Sequence, residues 1–145
     1  MEPLDLETSP PRGPREQLLG VCFLPRTIDK IRAELPGGKT GGYLVAESTM
    51  SSYVLHKIGV KLDELRDVVA RAAGENEVVE WLRARVDPAV AAQVNAKLAS
   101  SSIADATPEK LEIIRQRHPV LADRPEVVNA FEMLELDDAR VGAKT

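Results

Sequence analysis

The sequence predicts a mainly all-α protein: an irregular bundle of six to seven short helices behind an extended, proline-rich N-terminal arm. Three observations carry that prediction. Apolar residues recur at three- and four-residue spacings through most of the chain. Proline and glycine interrupt the pattern often enough to keep each helix short. The stretch from 70 to 106 is rich in alanine, which favours helix over strand. With 145 residues, 43% hydrophobic and 29% charged, the chain has the size and make-up of one globular domain.

Residues 1–17 hold Pro3, Pro10, Pro11 and Pro14 among Arg12, Gly13 and Arg15. Proline fixes φ and lacks an amide donor, so this unit reads as an extended arm, either a flexible tail or a clamp over the domain. Residues 18–138 read as a single helical domain and 139–145 as a tail. The apolar run Leu18–Leu24 opens the domain. Cys22 and Phe23 do not join the helical stripe that follows, so 18–23 are expected to be extended or buried all round. Leu24, Ile28, Ile31 and Leu35 make that stripe, with Pro25 tolerable in the first turn and Pro36-Gly37-Gly38 as the stop. Arg26, Asp29, Lys30 and Ala33 fall on the opposite face. Gly37–Gly42 form a glycine-rich loop, and Tyr43–Ala46 are expected as one short strand.

Helical spacing then runs to the end. Met50, Tyr53, Val54 and Ile58 share one side of a helix closed by Gly59. Leu62, Leu65, Val68, Val69 and Ala72 mark another, stopped by Gly74. Asn76 is the expected N-cap of a third, carrying Val78, Val79, Leu82 and Val86. Asp87-Pro88 and Thr107-Pro108 repeat one device, a capping side chain followed by a first-turn proline. They open helices carrying Val90, Val94 and Leu98, and Leu111 and Ile114. His118-Pro119 ends the latter. A last helix is expected from about Pro125, with Val127, Val128, Phe131 and Leu134.

Several function classes are disfavoured. A net charge of −4 argues against a nucleic-acid binder. One cysteine, Cys22, makes no internal disulfide and no zinc cluster, and His56 and His118 lack metal-ligand spacing. The run Leu18–Leu24 is too short to span a membrane, and the acidic N-terminus is unlike a signal peptide. A cytoplasmic protein without cofactor is the expectation. Gly38-Lys39-Thr40 resembles the end of a phosphate loop, but Ala33 stands where its opening glycine belongs. Ser52 and His56 are helical neighbours, yet no orienting acid can be read beside them.

The polar face of the first helix is the main candidate site. Arg26, Asp29 and Lys30 lie within one turn, and Arg12 and Arg15 of the arm are able to fold back beside them. Cations around one carboxylate suit an anionic ligand, an arm-to-helix network, or plain solvated surface. Residues 126–138 hold Glu126, Glu132, Glu135, Asp137 and Asp138 with no lysine or arginine. They read as an exposed helix, a docking surface for a basic partner, or a face that meets the basic arm across a dimer.

The string Pro10-Pro11-Arg12-Gly13-Pro14-Arg15, then Leu19-Gly20, then Leu24 to Ala33 resembles the opening of a bacterial family of small proteins, the domain of unknown function DUF5069. Gly42-Tyr43, Glu77 to Leu82 and Leu134 to Asp138 are similar to later family segments. The resemblance implies that the arm and the Arg26/Asp29/Lys30 face form one structural unit, and it brings no activity or substrate with it.

Two functions remain open. The first is a non-catalytic accessory or interaction subunit that docks to a protein partner or a second copy through its arm and helix faces. The second is a small-molecule-binding protein or enzyme that holds an anionic metabolite near Arg26 and Lys30, with Tyr43, His56 or Asp29 supplying proton transfer.

Overall fold

In the computed structural model, which describes residues 1–45 and 49–143, the chain is mainly helical with one small sheet. Strands β1 (Gln17–Leu18) and β2 (Val21–Cys22) form an antiparallel hairpin. Seven α-helices follow: α1 (Leu24–Ala33), α2 (Met50–Ile58), α3 (Leu62–Arg71), α4 (Glu75–Arg83), α5 (Pro88–Ala99), α6 (Pro108–Arg117) and α7 (Ala130–Ala143). A single 3-10 turn, Pro119–Ala122, lies between the last two.

The hairpin occupies the apolar run that breaks the helical stripe. Leu19 and Gly20 both take positive φ, 52° and 77°, the turn that matches the twist of a two-residue hairpin. Asn95 of α5 pins it, accepting from the Cys22 amide at 2.8 Å and donating to the Gly20 carbonyl at 2.7 Å. Phe23 then turns the chain into α1 with φ 73°, a left-handed conformation that a bulky side chain adopts at a cost of about 1–2 kcal/mol. Burial of its ring in the core offsets that cost.

Helix α1 is the centre of the molecule. All of its residues except Arg32 are buried. Arg26, Asp29, Lys30 and Ala33 are therefore interior, which corrects the expectation of a solvated face opposite the apolar stripe. The physical reason is that both sides of α1 are covered. The hairpin and helices α2 to α5 pack on the stripe, with Phe131 of α7 in the same cluster. The arm and the loop after Gly37 cover the rest. Leu6 of the arm is buried, and Leu4 and Leu6 exchange backbone bonds with Lys39 at 2.9 and 2.8 Å. A smaller cluster of Val120, Leu121, Val127 and Met133 joins the 3-10 turn to α7.

The cap-and-proline pairs act as read. Asp87 accepts from the Ala89 amide at 2.8 Å and Thr107 from the Lys110 amide at 3.2 Å. Gly59 closes α2 in the left-handed conformation. Other boundaries differ from expectation. Gly74, not Asn76, caps α4. Helix α7 begins at Ala130 instead of near Pro125, because Val128 and Ala130 bond to Ile103 and Ser101 and Asn129 accepts from the Glu132 amide. It then continues through Ala143, past the residue where a tail was expected to begin.

Tyr43–Val45 form no strand, and Ala46, the end of the expected strand, lies outside the described residues. Side chains from other elements replace a strand partner. Lys30 of α1 donates to the Leu44 carbonyl at 3.1 Å, and Arg66 of α3 donates to the Val45 carbonyl at 2.8 Å. The segment is a strap laid over the charged side of α1.

Candidate functional site

The candidate residues of the first helix are brought together, but as a buried network rather than an open patch. Arg26 is fully buried. Its guanidinium donates to both carboxylate oxygens of Asp138 on α7, at 2.7 and 2.9 Å, and to the Arg12 carbonyl at 3.2 Å. The same guanidinium lies 5.7 Å from the Phe23 ring centre and 5.4 Å from that of Tyr43. The Tyr43 hydroxyl donates to Asp138 at 2.8 Å. Burial and the neighbouring Asp138 charge push the Tyr43 hydroxyl above its ordinary pKa, so it keeps its proton.

Lys30 sits one turn along α1 from Arg26. Its ammonium nitrogen lies 5.1 Å from the Phe23 ring centre and bonds to the Leu44 carbonyl. Among the described residues it forms no ion pair. Burial, and then the Arg26 charge, lower its pKa from 10.5 to about 7, and the Asp138 charge offsets this only in part. On the other side of Phe23, Thr27 donates to the Phe23 carbonyl at 3.0 Å and meets the buried Ser51 hydroxyl at 2.9 Å.

Asp29 serves a separate purpose. It accepts from the Arg12 amide at 2.8 Å and from the Arg12 guanidinium at 3.0 and 3.1 Å. Arg12 also pairs with Glu75 of α4. Burial opposes the Arg12 charge, but the bonds to Glu75 and Asp29 outweigh it and raise the pKa. Arg12 thereby ties the arm to two helices, beside a shallow cleft of about 390 Å³ walled by Pro10, Pro11 and Leu4. Arg15 bonds Glu135 at 3.0 Å and lies over the Phe131 ring. The acidic last helix thus meets the basic arm within one chain.

His56 is exposed on α2, and among the described residues neither a side-chain hydrogen bond nor an ion pair joins its ring to Ser52 or to the Arg26 cluster. Cys22 is buried, with its sulfur 3.7 Å from the Arg15 carbonyl.

The sequence marks Asp137 and Asp138 as part of an acidic face but not the partners they take; they lie in the second half of α7. Asp138 completes the Arg26 pair, and the adjacent Asp137 takes the Nδ1 of His118. Asp137 also adds to the charge felt by Tyr43. A carboxylate at Nδ1 fixes the ring's tautomer and orientation, leaving Nε2 as its other polar edge. The available signal was the run of acids from 126 to 138 without a basic neighbour, since acids with no local counter-charge must find one elsewhere or stay in water.

Fold and site together define a small, mainly helical domain whose central helix buries an arginine and a lysine under a strap and an acidic C-terminal helix. The chain belongs to the family described as domain of unknown function (DUF5069), whose model matches residues 8–140. That span takes in the arm from Thr8, all of α1, the strap and Asp137-Asp138 of α7. A search of the curated proteins finds no match. Among the described residues no helix is long and apolar enough to cross a membrane, and no group of three or more His, Cys, Asp or Glu could hold a metal ion.

Proposed function

We propose that the chain is a small-molecule-binding protein whose ligand meets the Lys30 amine beneath the Tyr43–Val45 strap. One observation carries this reading: a buried lysine with no ion-pair partner among the described residues. Placing an ammonium in that environment is costly, and a methionine of similar length would fill the space without the penalty. Strongly perturbed groups of this kind concentrate where chemistry or binding needs them. The Arg26 fork is already filled by Asp138. That favours a ligand that offers a hydrogen-bond acceptor to the cluster over an anion that must displace a carboxylate.

Thermal unfolding with a panel of small metabolites tests it. A compound that raises the melting temperature of the native chain, but not of Lys30→Met, supports the reading. A broad panel without any such compound overturns it.

The accessory or interaction role is the second reading, and α6 favours it. This helix buries none of its residues, and Ile113 is 48% exposed beside Leu111 and Ile114. The occupant that fits is a second copy. Its shallow groove of Ile31, Leu35 and Ala70 holds Glu34, Asp63 and Asp67 against one cation, Arg66, which pairs with the first two; the acidic balance suits an apolar ridge that ends in Arg115 and Arg117. Light scattering at micromolar concentration should then show a mass above the monomer that Ile113→Glu reduces. A monomer at every concentration sinks this reading.

A further inference from the structure

We infer that the Lys30 amine captures a small, uncharged aldehyde or ketone as an imine, and that the free Arg26 Nε hydrogen is the donor beside it for the carbonyl oxygen. The inference rests on the ligand reading above and deepens it to a class of compound and a covalent step. Four observations converge on it.

Lys30 and Arg26 lie four residues apart on α1 and both face the Phe23 ring, so the amine has a cation and an apolar wall as neighbours and no acid as an ion-pair partner. Desolvation beside a fixed positive charge is the arrangement that leaves a lysine nucleophilic near neutral pH. The pKa of about 7 follows from the same arrangement. Arg26 Nε is buried and among the described residues has no hydrogen-bond partner, although the other two guanidinium nitrogens are bonded. It is a donor without a partner among the described residues, in the same cluster as an amine whose one hydrogen bond is to the Leu44 carbonyl. Asp138 neutralises the arginine, so the cluster offers no net charge to a carboxylate or phosphate and suits an uncharged carbonyl compound.

Access is controlled by the strap. Each of its residues is held by one bond from a different element: Tyr43 to Asp138 of α7, Leu44 to Lys30 of α1, and Val45 to Arg66 of α3. Two glycines, Gly41 with φ 61° and Gly42, precede it. Of the three bonds, the one to Leu44 is made by the reacting amine itself.

The step balances without another reagent. The neutral Nζ lone pair attacks the carbonyl carbon, a C–N bond forms, the carbonyl π pair moves to oxygen, and one amine hydrogen passes from nitrogen to that oxygen. The resulting carbinolamine loses its hydroxyl with the one remaining amine hydrogen as water, leaving a C=N bond. A neutral imine nitrogen carries no hydrogen, so capture ends the bond to the Leu44 carbonyl and frees the middle of the strap.

The test uses the full chain at pH 7 with propanal or acetone, each with cyanoborohydride to fix any imine as a secondary amine, followed by intact mass measurement and peptide mapping. Lys30 should be alkylated at least about tenfold faster than exposed Lys57, because desolvation beside a fixed positive charge leaves an amine nucleophilic near neutral pH. Lys30→Arg should lose the fast adduct and keep the slow background. A Lys30 peptide that stays unmodified while Lys57 reacts overturns the inference, as does a fast adduct that survives in Lys30→Arg. The same carbonyl compounds without reductant, followed by thermal unfolding, separate the two levels. Stabilisation without a Lys30 adduct refutes the imine and leaves the ligand reading standing, whereas neither stabilisation by the metabolite panel nor an adduct removes both.

Discussion

Arg26 on α1 and Asp138 on α7 lie 112 residues apart and form a two-pronged ion pair with contacts of 2.7 and 2.9 Å. The guanidinium is completely buried and the carboxylate side chain is 13% exposed. A charge so enclosed depends on its partner, because water cannot replace it. The pair joins the central helix to the last one, and Tyr43 and the Arg12 carbonyl complete its hydrogen bonding.

Removing one half of this pair should be far worse than removing both. Asp138→Ala is expected to destabilise the chain by about 3–5 kcal/mol, since it leaves a buried guanidinium uncompensated. The double variant Arg26→Met with Asp138→Leu should recover most of that loss. Urea unfolding of the single and double variants measures the difference, and an Asp138→Ala chain with an unchanged midpoint would show that the pair carries no such load.

Lys30 makes stability depend on pH in the opposite sense to a salt-bridged lysine. Its folded pKa is about 7 and its ordinary value is 10.5. Between these values the unfolded chain binds more protons, so this group makes stability rise with pH across the window. Its penalty is complete below pH 7 and absent above 10.5. Lys30→Met should therefore stabilise the chain at pH 6 by several kcal/mol, on the order expected for a shift of this size. It should also flatten the profile from pH 7 to 10.5. Unfolding measured at steps of pH decides the matter, and a variant with the native slope would contradict it.

The arm should loosen when Arg12 is removed. Arg12→Ala deletes the bonds to Asp29, Glu75 and the Pro25 carbonyl, with an expected loss of about 1–3 kcal/mol. Amide exchange over residues 2–9 should speed up before that of α3 or α5. Uniform acceleration across the chain would mean that the arm is not separately tethered.

Two caps of the same design should respond differently. Asp87→Ala weakens α5, whose Ala91, Val94 and Leu98 are in the core, and should lower global stability by about 1 kcal/mol. Thr107→Ala weakens α6, which has no fully buried residue and touches only the smaller apolar cluster through Ile114, so its effect should be confined to faster exchange in 108–117. A global loss from Thr107→Ala would show that α6 is coupled to the core.

Helix content was legible because its signals are local. The pairs Asp87-Pro88 and Thr107-Pro108 mark starts that the structure keeps, and Gly59 marks a stop. The exceptions were settled by distant partners. The start of α7 depends on pairing with 101–103, and the strap forgoes a strand because Lys30 and Arg66 take its carbonyls. At the site, helical spacing put Arg26, Asp29 and Lys30 within one turn of α1, and the arm lays Arg12 against Asp29. Their burial was not legible, since the acid that permits it for Arg26 comes from the far end of the chain. Helical spacing separates the two sides of α1 but cannot tell whether the second side meets water or another element.

The closing of α1 by α7 has a consequence for synthesis. A nascent chain that has emerged as far as α5 already contains most of the apolar partners of the central helix, Phe131 excepted. It cannot neutralise Arg26 within its own interior until Asp138 has left the ribosome. The final seating of that helix is therefore deferred to the last helix translated, and a stalled product lacking it must keep the arginine hydrated at the expense of core packing.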